Sequence, residues 1–295
     1  MDQIAAEVSP NGRIVCAAVR GATVSGGNVS LTRKGRFSRM FARRGSSLAL
    51  RSVWKGNSFP RKKNQEDIVA YSIPLEVRIA FFDMDHTLID NDCDLSWKLF
   101  LADRGLADWR DRMLGRWHYF RYRMGRLNTE SFTQFQLEQF RGKTDDEMRL
   151  LLDEHFRLYV LPRVYPAVFP LMNELALRRI PRVLVTATNA EIARPLADHF
   201  EMDALLATQL ERDAAGRFTG RITGTYCLGA QKIPLMEAEA ARRASTLADA
   251  MYWGDSGLDI PILAAVGHPI AANPAPKLRS EAKKRGWPVV NFSRP

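Results

Sequence analysis

The stretch "RIAFFDMDHTLID", Arg78 to Asp90, decides how this chain folds. Four apolar residues, Ile79 to Phe82, run directly into Asp83, and Asp85 follows one residue later. A short apolar run of this kind suits a strand buried on both faces. In open parallel sheets ligands bind beyond the carboxyl ends of the strands, and Asp83 falls at such an end. Side chains alternate along an extended chain, so Asp83 and Asp85 share a side wherever that conformation persists. Two carboxylates so close repel, and one is driven to protonate. A hard dication removes the conflict, and Mg2+ prefers oxygen ligands. Two solvated loop acids are the plain alternative on this stretch alone.

The pattern recurs downstream. "IPRVLVTAT" (Ile180 to Thr188) and "ADAMYWGDS" (Ala248 to Ser256) have the same form. Weaker versions are "ALLAT" (Ala204 to Thr208), "HPIAAN" (His268 to Asn273) and "WPVVNF" (Trp287 to Phe292). Helical stretches fall between them, in "PAVFPLMNELALRR", "AEIARPLADHF" and "KIPLMEAEAARRAS". Strand alternating with helix predicts an α/β fold, a doubly wound parallel sheet covered on both faces. "LERDAAGRFTGRITGTY" reads as a β-hairpin.

One region breaks the alternation. From about Asp94 to Arg163 no strand candidate occurs, while Trp97, Phe100, Trp117, Phe135, Phe140, Met148, Leu152 and others recur at helical spacing. The spacing predicts amphipathic helices whose aromatic residues form the core of a small inserted helical domain.

The net charge of +10 over 295 residues is unevenly spread. Residues 1–78 hold 14 Lys+Arg against 5 Asp+Glu, which leaves 29 against 28 for the remainder. A near-neutral main body argues against electrostatic nucleic-acid binding there. Residues 1–76 form a basic extension, and no acid lies between Glu7 and Glu66. Its readings are an unpacked solvated tail, an organelle transit peptide, or an artefact of an upstream start, with the solvated tail preferred over nucleic-acid or lipid binding. No stretch of eighteen apolar residues predicts a membrane span. Cys16, Cys93 and Cys227 are too few and too dispersed for a disulfide framework or zinc site, so a reducing, cytoplasmic setting is expected.

The later strands carry further chemistry. Thr186 ends "RVLVT" and Asp255 follows "MYWG", each where Asp83 stands after its own strand. Asp259 lies four residues past Asp255, one helical turn on if a helix starts there. Lys232 precedes the helix-like "IPLMEAEAARR". Convergence at one sheet edge would unite carboxylates, a hydroxyl and an ammonium, a set suited to phosphoryl transfer.

"DMDHT" (Asp83 to Thr87), Thr186, Lys232 and "GDSGLD" (Gly254 to Asp259) together resemble the four ordered motifs of the haloacid-dehalogenase superfamily, in its phosphoserine-phosphatase-like branch. "NPAPKLRSEAKKRGWPVVNF" near the end also resembles that branch. The resemblance implies a core of residues 77–93 and 175–295, with an α-helical cap over 94–174. It implies a Mg2+-dependent phosphatase in which Asp83 attacks phosphorus and becomes an aspartyl phosphate, while Asp85 serves as general acid and then base. Mg2+ would be held by Asp83, the Asp85 backbone carbonyl and Asp255, with Asp259 holding a bound water or orienting Lys232. Thr186 and the Ala187 N–H would grip phosphate oxygens, and Lys232 would offset negative charge.

The substrate implied is a small phosphorylated metabolite. In the branch resembled, an acid shortly after the first motif and a cap arginine hold the amino-acid end. Asp92 stands at the acidic position, but "GRLNTESFTQFQ" offers Gln134 and Gln136 where the arginine is expected. A neutral amide cannot replace a bidentate guanidinium for a carboxylate, which disfavours phosphoserine and leaves phosphorylated alcohols, amino alcohols and histidinol open. Thr188 and Asn189 read equally as substrate contacts or as caps of the following helix. His86 is read as variable and Cys93 as passive. A halo-acid or phosphonate hydrolase, a metal-dependent glycosyltransferase and a basic-tailed binding protein are the rival readings. Asp85 argues against the first, because an acid is what an alkoxide leaving group needs.

Overall fold

The computed structural model describes residues 72–107, 113, 114, 117, 121 and 135–295, together with the backbone of Glu7, Val8, Ile14 and Val15. The chain divides into two units, Met1–Lys63 and Asn64–Pro295. In the first, β1 (Glu7–Val8) and β2 (Ile14–Val15) pair antiparallel. The expected unpacked extension over 1–76 falls mostly outside the described residues. Its last residues do pack: Ile73 is buried, and the Arg178 guanidinium donates to the Ile73 and Pro74 carbonyls at 2.6 and 3.0 Å.

In the second unit β3 (Ile79–Phe82) leads to α1 (Cys93–Asp103), α2 (Asp145–His155) and α3 (Val168–Leu177), then to β4 (Arg182–Asn189). There follow α4 (Ala190–His199), β5 (Ala204–Arg212), β6 (Phe218–Thr223) and α5 (Lys232–Arg242). The chain closes with β7 (Ala250–Gly254), α6 (Ile260–Ala265), β8 (His268–Ala272), α7 (Pro276–Arg285) and β9 (Val289–Val290). Seven strands form one sheet in the order β6-β5-β4-β3-β7-β8-β9. Only the β5–β6 pair is antiparallel, and it is the hairpin expected from its glycines and alternation.

Alternation along the strands builds two cores. Ile79, Phe81, Val183, Val185, Tyr252 and Ala271 face one side, where Met236 and Ala240 of α5, Ile262 and Leu263 of α6, and Leu278 and Ala282 of α7 cover them. Ala80, Phe82, Leu184, Met251, Trp253 and Ile270 face the other, under residues of α1, α3 and α4. Every β3 side chain is therefore buried, which is why its sequence is apolar without interruption. Truncating Phe81 or Phe82 to Ala would cost about 3–5 kcal/mol.

Among the described residues, no strand lies between β3 and β4. Trp97, Phe100, Phe140, Met148 and Leu152 are buried as the spacing predicts, and they join the α1-side core. Two aromatic residues of that stretch depart from the expectation. Trp117 is 54% exposed, and Phe135 lines a cavity. Trp109, Phe120, Tyr122 and Phe132 lie outside the described residues. Inside this helical region His155 is buried, its Nε2 2.9 Å from Ser96 Oγ, which also accepts from Asn91 Nδ2 at 2.8 Å. Capping is locally encoded: Thr144 and Glu147 form a reciprocal capping box on α2, and Asn189 accepts from the Ile192 N–H at the start of α4.

Candidate active site

Chain order runs outward from β3 to β4 on one side and to β7 on the other, so β3 is the point where the winding reverses. Register then does the rest. Phe82 pairs with Leu184 and with Trp253, so Asp83, Thr186 and Asp255 all emerge at the same edge. Asp83, Asp85, Asp92, Thr186, Ala187, Lys232, Asp255 and Asp259 line one cavity there. Residues separated widely in sequence thus meet as the strand-end argument anticipates.

Lys232 opens α5 and is buried. Its Nζ donates to Asp83 Oδ1 at 2.6 Å and to the Tyr252 hydroxyl at 3.2 Å, and lies 3.7 Å from Asp259 Oδ1. The Tyr252 hydroxyl donates to Asp259 Oδ1 at 2.7 Å. Burial opposes the Lys232 charge, yet Asp83 and Asp259 outweigh it and hold its pKa above the ordinary value. Burial raises the pKa of Asp83, with Lys232 pulling against it. Burial, then the charges of Asp259 and Asp83, push Asp255 well up.

One carboxylate oxygen each from Asp83, Asp255 and Asp259 lies within 4.8 Å of the others. Three acids beside a single ammonium leave an excess of buried negative charge, and a divalent cation is the natural complement of that donor set. Asp85 stands apart. Its Oδ1 accepts from the Cys93 N–H and its Oδ2 from the Thr188 hydroxyl, both at 2.8 Å. Burial, then Asp92 and Asp83, raise its pKa well above the usual carboxylate range.

Two details differ from the sequence expectation. Asp259 does not sit one helical turn past Asp255; it precedes α6 and closes a turn in which Ser256 N–H and Oγ both donate to Asp259 Oδ2 at 2.8 Å. Gly254 makes that turn possible: a Cβ there would lie 2.7 Å from Asp259 Cγ and 2.8 Å from Tyr252 Cε1. On β4, the pairing with β5 skips from Thr186 to Asn189. The resulting bulge puts Ala187 and Thr188 in the cavity wall.

The same cavity is also lined by residues that the motifs did not supply. Asp94, Lys98, Phe135 and Gln136 join Asp92 in its wall. Burial, then Asp92, raise the Asp94 pKa to about 7. The Lys98 ammonium donates to the Phe135 carbonyl and to Gln139 Oε1 and stands 4.0 Å from the centre of the Phe135 ring. Asp92 also caps α1, accepting from the Leu95 N–H at 2.9 Å. Gln134 lies outside the described residues. Cys93 is buried, and burial followed by the Asp85 charge raises its thiol pKa well up, which suits the passive role expected of it. Among the described residues, no helix is long and apolar enough to cross a membrane.

Comparison with known proteins bears on the family. The model of the haloacid dehalogenase-like hydrolase family matches residues 80–264. A histidinol-phosphatase of Neisseria meningitidis serogroup C (strain 8013) is 32% identical over 218 residues, covering 72% of this chain and 98% of that protein. A solved protein with unknown function from Bordetella pertussis Tohama I superposes with a TM-score of 0.67 at 34% identity, covering 72% of this chain and 98% of that one. A substrate-bound phosphoserine phosphatase superposes at 0.55 with 17% identity, covering 72% of this chain and 92% of that one, a likeness of fold alone. On the family match and the Neisseria relative together, the chain belongs to the haloacid dehalogenase-like hydrolases.

Proposed function

We propose that this hydrolase cleaves a small phosphomonoester in two displacements, with Asp83 as nucleophile and Asp85 as general acid and base. The observation that carries the reading is the division of labour among the acids. Asp83, Asp255 and Asp259 cluster with one another, the first and last beside Lys232, while Asp85 faces the same cavity in a separate set of hydrogen bonds. A halo-acid hydrolase has no use for the second, separately held acid.

Asp83, the Asp85 backbone carbonyl and Asp255 would hold Mg2+, with Asp259 behind them. When bound, the ion supplies positive charge that offsets the acids and the phosphoryl oxygens. Lys232 opposes the effect of burial on Asp83, favouring its ionised form, and holds its Oδ1. Thr186 accepts from the Thr188 N–H at 3.1 Å, which leaves its own O–H to donate to a phosphate oxygen. The Ala187 carbonyl accepts from the Thr208 hydroxyl at 2.7 Å, an anchor for the bulge that carries the Ala187 N–H. Asp85 gives its proton to the departing alkoxide and then removes one from the attacking water.

The helical insertion over 94–174 serves in this reading as the cap that selects the leaving group and excludes water. Gln136, buried in the cavity wall, stands where a carboxylate-binding arginine is expected. A leaving alcohol without a carboxylate fits that wall better than serine does, and the name of the Neisseria relative, histidinol-phosphatase, is of that kind. Buried free thiols at Cys93 and Cys227 accord with a cytoplasmic setting.

The test is phosphate release from a panel of phosphomonoesters in Mg2+ by the full chain and by Asp83→Asn. Turnover that persists in Asp83→Asn would remove the nucleophile assignment.

A further inference from the structure

Thr188 sits in the bulge of β4, almost fully buried, immediately before the residue that caps α4. The cap is supplied by Asn189 alone, so the Thr188 hydroxyl is not used in starting the helix. It donates instead to Asp85 Oδ2 at 2.8 Å, a residue 103 positions away on the neighbouring strand end. The other oxygen of the same carboxylate, Oδ1, is held by the Cys93 N–H at 2.8 Å, in the first turn of α1. Both oxygens are thus held by donors, one fixed in the main chain and one a side-chain hydroxyl, and together they set the plane of the carboxyl group.

We propose that Thr188 is a positioning residue for Asp85: with the Cys93 N–H it clamps the carboxyl group and fixes its direction in the cavity. This rests on the phosphatase reading given above. In the first displacement the bond from Asp83 oxygen to phosphorus forms and the ester P–O bond breaks. The Asp85 O–H bond breaks as the alkoxide takes the proton. In the second, a water proton passes to the Asp85 carboxylate as the water oxygen bonds to phosphorus and the bond from phosphorus to Asp83 breaks. Thr188 touches no atom of the substrate; it sets the direction of the carboxyl group that carries the proton. The clamp also ties the acid to α1, the first helix of the inserted region.

The leaving group separates this role from a merely structural one. An alkyl phosphate such as ethyl phosphate needs its alkoxide protonated, whereas 2,4-dinitrophenyl phosphate releases a stable anion. In Thr188→Val, kcat/KM should fall about 10- to 100-fold on ethyl phosphate, the usual worth of a hydrogen bond to a charged group. The loss on 2,4-dinitrophenyl phosphate should be at least tenfold smaller. Thr188→Ser, which keeps the hydroxyl, should restore the ratio between the two esters. Equal losses on both esters, no loss on either, or a ratio not restored by Ser would overturn the proposal while leaving the phosphatase reading intact. Failure of the unsubstituted protein to hydrolyse either ester would overturn both. If Thr188→Val is shown by circular dichroism not to fold, the same ratio is read on Thr188→Ala.

Discussion

Lys232 Nζ lies 2.6 Å from Asp83 Oδ1 although 149 positions separate the two residues. The pair is buried, so neither charge is well solvated and each depends on the other. Asp83→Asn keeps the shape and the hydrogen bond but removes the nucleophile. Its kcat should fall by about 10⁴-fold or more, with the fold retained. Lys232→Met removes the ammonium among three acids and should lower both activity and thermal stability. Steady-state kinetics and a melting curve on each variant check both statements.

Mg2+ should change stability as well as rate. The Asp259 charge raises the proton affinity of Asp83, and the Asp259 and Asp83 charges raise that of Asp255, a sign of unrelieved repulsion among buried acids. A bound dication relieves it, and Mg2+ at a hundredfold excess over its Kd should stabilise the fold by about 2.7 kcal/mol. EDTA should abolish turnover reversibly. Asp255→Asn should lose most of the Mg2+-dependent rise in melting temperature, a readout that needs no substrate. An equal rise in Asp255→Asn would remove that residue from the metal site.

The strand-end acids were legible because each follows an apolar run that must be buried, and register aligns the ends of β3, β4 and β7. The roles of Thr188 and Tyr252 were hidden for different reasons. Nothing in "TATN" marks the bulge that turns Thr188 towards Asp85, since the skip in pairing is settled by β5. Tyr252 reads as one more member of a buried run, and only its hydroxyl, between Lys232 and Asp259, gives it a place in the site. Trp117 misled because helical spacing says which residues share a face, not whether anything covers that face. Asp259 misled on distance: a tight turn at Gly254 to Asp259 brings the acids together without a helix.

The Gln136 position yields a selectivity prediction. A carboxylate on the leaving alcohol meets Asp92, Asp94 and an amide there, and Lys98 is already engaged by the Phe135 carbonyl and Gln139. The full chain should therefore favour an amino-alcohol phosphate over phosphoserine. Gln136→Arg should raise kcat/KM for phosphoserine relative to O-phosphoethanolamine by tenfold or more, the scale of a charge-assisted hydrogen bond. An unchanged ratio would show that Gln136 does not read the carboxylate.

His155 makes the fold acid-sensitive. Burial lowers its pKa to about 3, and Ser96, Trp97, Phe100 and Tyr159 surround the ring. In the unfolded chain an imidazole takes up its proton near pH 6.5, roughly its ordinary pKa. The unfolded state therefore binds the extra proton throughout the interval between the two values, and stability falls as pH drops through it. The contribution is fully present above about pH 6.5 and should decline by about 2.5 kcal/mol by about pH 4.5. His155→Gln removes the titrating group, so it should be less stable than the unsubstituted protein at neutral pH yet lose less on acidification. Urea unfolding of both proteins at the two pH values isolates the difference from the other acids that titrate in the same range. Parallel losses in the two proteins would mean that His155 is protonated in the folded state and that its burial is not what sets the acid limit.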